Sequence, residues 1–434
     1  MKQMTSWGRL QTPWHHVYPL TDRFTVGACL KTTKPGLAYG MGRSYGDVCL
    51  NPEGNLWHTT GLNKFMQFDA DSGLFSCEAG VLLRDIQRLM LPRGWTLPVT
   101  AGTQMITVGG AIANDIHGKN QHKRGTFGEH VKRLRLVRTS GKMADCGPEN
   151  HAEWFSATIG GLGLTGVITD VTLQLQAVGS EWLHVEIIPY QQLTEFFQLA
   201  KASQADWEYT TSWVDCTAGA QERGIFMRAS PASSLETVPD RLPKRALSVP
   251  FTPPLSCVNS LSLRAFNEVY YRLHQFKAGQ HVMHREDFLY PLDHVQDWNR
   301  LYGPKGFYQY QSVVPFAGAY DAIAAMLAVI KAAGEGSFMA ALQTFAARPA
   351  AGLLSFPQEG VTLALDFPER GHKTRKLLTE LDAIVQQANG RLYPAKDVRM
   401  PRDLFTQGYP ELSRFLPYRD PGISSGLSRR LMGS

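Results

Sequence analysis

Three glycine-dense stretches constrain this chain more than any other feature. Residues 39–47 read YGMGRSYGD, residues 101–120 read AGTQMITVGGAIANDIHGKN, and residues 159–168 read IGGLGLTGVI. Glycine lets a backbone turn where other residues are strained, and it lacks the Cβ that keeps a neighbour at a distance. In the first stretch Gly40, Gly42 and Gly46 expose backbone N–H groups, Ser44 adds a hydroxyl, and Arg43 adds positive charge. That set suits a diphosphate. In the second, Gly102, Gly109, Gly110 and Gly118 flank small residues, so a flat ring system can lie against the backbone. His117 and Lys119 then put two titratable donors beside that surface. In the third, Gly163 and Gly166 permit close packing on a planar group before a strand begins at Val167 and Ile168. Read singly, each is also an ordinary tight turn. The first is not the G-x-G-x-x-G fingerprint of a strand-turn-helix dinucleotide unit.

A chain of 434 residues with 43% hydrophobic and 19% charged side chains has enough apolar material for two or three folded domains. The net charge of +6 is mild, and no motif with base-reading geometry accompanies it, so no nucleic-acid partner is expected. A cationic stretch carries Lys119, Lys123, Arg124, Lys132, Arg133, Arg135 and Arg138. It reads first as a solvated strand face, and second as an attraction for an anionic ligand or lipid. The six cysteines form no C-x-x-C pair and no zinc spacing, so reduced thiols, no metal and a cytoplasmic location are expected. The N-terminal MKQMTSWGRLQTPWHH has no apolar core of a signal peptide. No stretch is long and apolar enough to span a bilayer, so any membrane contact is expected to be peripheral.

Along the chain, the patterns predict a strand at 74–79 and a helix at 81–91 with Leu82, Ile86 and Leu89 on one face. A hairpin is predicted over 131–146 with its turn at Ser140-Gly141, then a short helix at 149–157 and a period-two strand at 167–175. Composition shifts near Val178. Aromatic-rich strands follow at 208–214 and 307–314, separated by residues 229–262, which hold six prolines and read as a long loop. Within it Arg241, Lys244 and Arg245 sit beside Leu242, Leu247, Val249 and Phe251, as an ordinary surface loop or as a lid that meets a lipid-bearing substrate. A β-α-β-β-α-β order then runs through strand 308–314, helix 320–332, strands 338–345 and 361–367, helix 372–388 and strand 391–393.

Together the glycine-rich words resemble the FAD-binding domain of the vanillyl-alcohol oxidase / p-cresol methylhydroxylase superfamily of FAD-linked oxidases. The resemblance is closer to one branch, the decaprenylphosphoryl-β-D-ribose 2′-oxidases. The matching words are GRSYGD, TVGGAIANDIHGKN, GTFGEHV at 125–131 and FSATIGGLGLTGVI. YTTSWVD at 209–215, GFYQYQSVVP at 306–315, LYPAKD at 392–397 and SRRL at 428–431 also match. The resemblance implies an α+β fold with a two-lobed p-cresol methylhydroxylase-type FAD-binding domain at 7–178. It further implies a substrate domain with a large antiparallel sheet at 179–390, and a segment at 391–434 that returns to the FAD domain. Many superfamily members tether FAD through a His in a G-x-G-H-S loop. Here Arg43 holds that position, so non-covalent FAD is implied. Branch members that react with covalent inhibitors carry Cys near Ala364, which puts such sensitivity in doubt here.

By the same resemblance, FAD would be held by Gly40, Met41, Gly42, Arg43, Ser44, Tyr45, Gly46, Gly102, Thr103, Thr107, Gly109, Gly110, Ala113, Asn114, His117, Gly118, Gly163, Gly166, Val167 and Ile168. Tyr45, Lys119, Thr211, Trp213, Tyr290, Gln309, Gln311 and Lys396 would line the substrate pocket. Gln309 and Gln311 are two apart on a strand and so share a face. Removing a hydride from a carbinol carbon requires a group to take the hydroxyl proton, and Lys396 and His117 are the candidates. The expected reaction is oxidation of the 2′-OH of a polyprenyl-phosphate-linked ribose to a ketone, the oxidase half of an epimerisation. A separate NAD(P)H-dependent keto-sugar reductase would complete it, with the oxidase peripheral at the inner membrane face. A soluble alditol or aldonolactone oxidase, and a flavin-binding protein without catalysis, are the alternatives.

Overall fold

The structure, a computed structural model, describes residues 1–218, 222–232 and 247–433. It is an α+β fold built on three main sheets. The first has the order Lys2–Gln3, Trp14–Pro19, Asn55–His58, Gly36–Tyr39. Trp14–Pro19 and Gly36–Tyr39 both run parallel to Asn55–His58, with helix Val26–Thr33 as the crossover. Its core gathers Val26, Leu30, Leu37, Leu56 and Trp57, all buried. The Trp57 indole N–H donates to Thr33 Oγ1 at 2.8 Å, which satisfies the one polar atom that this burial would otherwise strand.

The second sheet is antiparallel, in the order Phe65–Asp69, Leu74–Glu78, Val167–Gln174, Val131–Val137, Met143–Cys146. The hairpin turns at Gly141, whose φ is 81°. Arg135 holds Asp145 with two hydrogen bonds of 2.9 Å, and Arg133 reaches Asp170 at 2.9 Å. This part of the cationic stretch is therefore neutralised by its own sheet. Helix Leu83–Met90 buries Leu83, Ile86, Gln87 and Met90. The stripe expected through Leu82 and Leu89 is thus displaced. Leu82 is the N-cap in extended conformation, so the helix starts at Leu83, two residues later than expected, and turns Leu83 inward. Gln87 is tolerated inside because its side-chain oxygen accepts from Thr96 Oγ1 at 3.0 Å.

The third sheet has eight antiparallel strands, in the order Gly279–His284, Trp182–Tyr190, Gly224–Pro231, Tyr209–Val214, Ala341–Phe345, Gly360–Pro368, Phe307–Val314, Arg391–Leu392. The last strand belongs to the segment expected to return to the first domain, so this sheet extends past residue 390. Helices Leu193–Ser203, Ala319–Ala332 and His372–Gln387 belong to the core on one face, through Phe196, Ile323, Ile330, Leu377 and Leu381. Helix His372–Gln387 ends before Asn389, whose left-handed φ of 54° stops it.

The loop expected over 229–262 is shorter than its prolines suggest. Strand Gly224–Pro231 runs into it, and Leu247–Ser248 pairs in parallel with Val295–Gln296. Helix Ser260–Phe276 opens at its end, where the Asn259 side chain accepts from the Leu261 and Ser262 N–H groups at 3.1 Å. Arg241, Leu242, Lys244 and Arg245 lie outside the described residues.

Candidate active site

The three glycine-dense stretches meet. Gly40 packs against Thr107 so closely that a Cβ would fall 2.6 Å from Thr107 Oγ1. That hydroxyl caps helix Val108–Ala113 by accepting from Gly110 N at 3.1 Å. The third stretch is sewn to the same helix, Gly160 N donating to Ile112 O at 2.9 Å and Leu162 N to Ala113 O at 2.8 Å. Gly42 has a φ of 62°, and a Cβ there would meet Tyr39 Oη at 2.1 Å. No other residue type fits that turn without strain.

The C-terminal segment closes on the first stretch. Tyr45 N donates to Ala395 O at 3.0 Å, and Tyr393 Oη donates to Asn114 O at 2.8 Å. In helix Gly426–Met432, Arg430 reaches Asp47 at 2.9 Å and Asp397 at 3.0 Å. Arg429 donates to Asn51 Oδ1 at 2.7 Å.

These elements and the open face of the eight-stranded sheet enclose a cavity of about 1270 Å³. A single small-molecule pocket is usually about 300–1,000 Å³, so this one has room for a dinucleotide and a second molecule. All the residues expected at the cofactor line it except Gly46. Gly46 instead lets the C-terminal segment approach, since a Cβ there would lie 1.7 Å from Asp397 O. Tyr45, Lys119, Thr211, Trp213, Tyr290, Gln309, Gln311 and Lys396 line the cavity too. Gln309 and Gln311 face it, while Tyr310 between them packs into the helical side of the sheet.

Its wall fits a flavin dinucleotide by three observations. Gly102 and Gly163 present bare backbone, where a Cβ would meet nothing within 4 Å. Asn114 Oδ1, Gln104 Oε1 and His117 Nδ1 are buried on the wall without a protein partner, although buried polar atoms ordinarily have one. Arg43 supplies positive charge, its guanidinium 4.0 Å over the Trp7 ring. Among the described residues no group of three or more His, Cys, Asp or Glu is placed to hold a metal.

His117 sits in an aromatic box of Phe345, Phe356 and Tyr393, with ring centroids 4.9, 5.6 and 5.4 Å away. The Gln311 amide nitrogen is 3.0 Å from its Nε2. Burial, reinforced by the charge of Lys396, lowers the His117 pKa to about 3. It is therefore a neutral imidazole at ordinary pH and a weak proton acceptor. Burial brings Lys396 down to about 8, opposed by the carboxylate of Asp366. Its Nζ lies 4.0 Å over the Tyr45 ring. Lys119, lowered to about 7 by burial, donates to Phe288 O. Tyr290 is held by its hydroxyl, which donates to Thr100 Oγ1 at 2.9 Å.

Two further acidic groups belong here and were not singled out from the sequence. Asp366 is fully buried behind the cavity wall, where Oδ1 accepts from Gln309 at 2.9 Å and the carboxyl also faces the Tyr302 hydroxyl. Burial raises its pKa to about 7, with Gln309 and Lys396 pulling the other way. Asp293 accepts from Thr103 Oγ1 at 2.6 Å and Gln104 N at 3.0 Å, tying the second glycine stretch to the far domain. A lone Asp in the apolar word VTLALDF was the available signal for Asp366, since a carboxylate is almost never fully buried without a partner. Asp293 left no signal, because its partners are distant in sequence.

The comparisons agree with this geometry. A family model described as an FAD binding domain matches residues 23–147. The chain is 32% identical over 457 residues to decaprenylphosphoryl-beta-D-ribose oxidase of Mycolicibacterium smegmatis, covering 99% of this chain and 97% of that one. It is 31% identical over 372 residues to an uncharacterized protein in the mprA 5′ region of Streptomyces coelicolor, covering 81% of this chain and all of that one. L-gulonolactone oxidase of Mus musculus is 31% identical over 135 residues, 31% of this chain and 30% of that enzyme.

Proposed function

Because this chain belongs to the FAD-linked oxidases, in the branch of the decaprenylphosphoryl-β-D-ribose oxidases, and is an FAD-dependent oxidoreductase acting on CH–OH groups, we propose that it oxidises a polyprenyl-phosphate-linked ribose at the 2′-OH. The observation that carries this reading is that Lys396, His117, Gln309 and Gln311 line the same cavity as the three glycine-dense stretches.

In this proposal residues 7–178 and 391–434 hold FAD and residues 179–390 hold the sugar. Arg43, where many superfamily members have a tethering His, supports non-covalent binding. Bound FAD supplies the hydride acceptor, at N5 of its ring. Lys396, with its pKa near 8, takes the hydroxyl proton as the C–O bond becomes a carbonyl. Asp366 stabilises the lysinium that forms. Neutral His117, held by Gln311, orients the reacting oxygen. Gln309, Gln311, Thr211 and Lys119 offer the hydrogen bonds that a sugar ring needs, and Trp213 offers a flat face.

The ketone so formed calls for a separate NAD(P)H-dependent reductase to complete an epimerisation. No helix among the described residues is long and apolar enough to cross a membrane. The proposed location is cytoplasmic, peripheral at the inner membrane face. The partial likeness to L-gulonolactone oxidase supports a second reading, a soluble alditol or aldonolactone oxidase. Anaerobic mixing decides between them. Bleaching of the flavin band by a lipid-phosphate pentose and not by soluble polyols is expected. Bleaching by a soluble alditol or lactone alone would overturn the first reading.

A further inference from the structure

Helix Ser260–Phe276 has apolar residues on two faces. Leu263 and Tyr271, with Asn267, are buried against the eight-stranded sheet. At about 100° per residue, Leu261, Ala265, Phe266, Val269, Leu273 and Phe276 fall on one continuous opposite arc, and all are exposed. Leu261 is 78% exposed and Phe276 91%. A surface helix ordinarily confines its apolar residues to the buried stripe. A second, solvent-facing stripe about four turns long marks a surface that something covers.

Two observations say what covers it. The first is charge. Arg264 lies beyond the arc on one side and Lys277 on the other, while Arg272 falls within it between Leu261 and Ala265. Glu268, the helix's one acidic residue, is engaged by Arg223 at 2.7 Å and by Arg272. An apolar arc edged by cations, with its only carboxylate already paired, matches a bilayer boundary. There acyl chains take the apolar side chains and anionic headgroups take the cations. The second is continuity with the site. Phe266 stacks on Tyr270 at 5.7 Å and meets Phe338 at 4.8 Å, and all three line the main cavity. The exposed arc thus runs without a break into the cavity wall.

We infer that this helix face docks the FAD-loaded protein on an anionic bilayer, with the cavity opening onto the membrane. The inference rests on the reading of a lipid-phosphate substrate, which it supplies with a route: the polyprenyl chain stays in the bilayer while the sugar enters the cavity.

The test is sedimentation of the FAD-loaded protein with vesicles of phosphatidylcholine, with and without phosphatidylglycerol. The wild type is expected to sediment with the anionic vesicles and to be released by salt. The combined change Val269→Ser, Leu273→Ser and Phe276→Ser touches no cavity-lining residue. It is expected to lower partition by about tenfold or more, with flavin content and thermal unfolding unchanged. Arg264→Glu with Lys277→Glu tests the charge separately and is expected to abolish the preference for phosphatidylglycerol. Absence of wild-type binding, or equal binding by both variants, overturns the inference. So does a change of oligomeric state in the serine variant without a change in sedimentation, which would assign the face to a second copy. The two readings fail separately. Vesicle binding with bleaching only by a soluble polyol removes the substrate reading alone. Bleaching by detergent-dispersed lipid-phosphate sugar without vesicle binding removes the docking face alone.

Discussion

At the scale of single residues, the site turns on what burial does to two bases. His117 and Lys396 are both half-buried in the cavity wall, yet desolvation leaves one far from neutrality and the other close to it. Lys396→Ala is therefore expected to keep bound FAD but to lose flavin reduction by substrate by at least about 10²-fold, the usual contribution of a general base. Stopped-flow bleaching measures this, and undiminished reduction would remove Lys396 from the chemistry. A lysine acts as base only when neutral, so the wild-type reduction rate should rise with pH through about 8 and level off above it. Asp366 raises the Lys396 pKa, so Asp366→Asn should move that rise to lower pH. An unmoved profile would make Asp366 structural. Lys396 and His117 were legible because each sits in a long word that resembles a family pattern. Asp366 was not, because in sequence it is one letter in a strand otherwise read as core. Only the fold shows that Gln309 and Lys396 surround it.

At the scale of elements, the C-terminal segment acts as a clasp. Asp47 and Asp397 are both almost fully buried, and Arg430 sits between them. Removing one partner of a buried pair costs about 3–5 kcal/mol, and Arg430→Ala leaves two carboxylates facing each other. A loss of that order is expected in chemical denaturation, smaller at acid pH where Asp47, whose pKa burial raises, takes up a proton. Gly46→Ala forces a Cβ onto Asp397 O and should loosen the same clasp, at roughly 1–3 kcal/mol for an overpacked contact. The strands and the two helices Ala319–Ala332 and His372–Gln387 were readable from periodicity. Helix Ser260–Phe276 was not, because prolines crowd the residues before it and its exposed apolar face blurs the one-stripe pattern that marks a surface helix.

At the scale of the whole molecule, FAD would fill a cavity lined by residues from both the FAD-binding and the substrate segments. A ligand at about 1,000 times its Kd adds about 4.1 kcal/mol to stability. Stripping FAD is therefore expected to lower the thermal transition by several degrees, and adding FAD back should restore it. A transition that ignores added FAD would mean that FAD does not bind the folded chain. Three glycine-dense words, their order, and the periodic strands and helices are local properties of the chain, written in backbone freedom and side-chain alternation. They were enough to set the fold class and the cofactor. The tertiary structure alone decided that Gly46 serves the clasp and not the cavity, that Asp366 stands behind the wall while Asp293 lines it, and that one helix leaves an apolar face uncovered. Each of these depends on residues far apart in sequence brought into contact, and burial, pKa and exposure exist only once that contact is made.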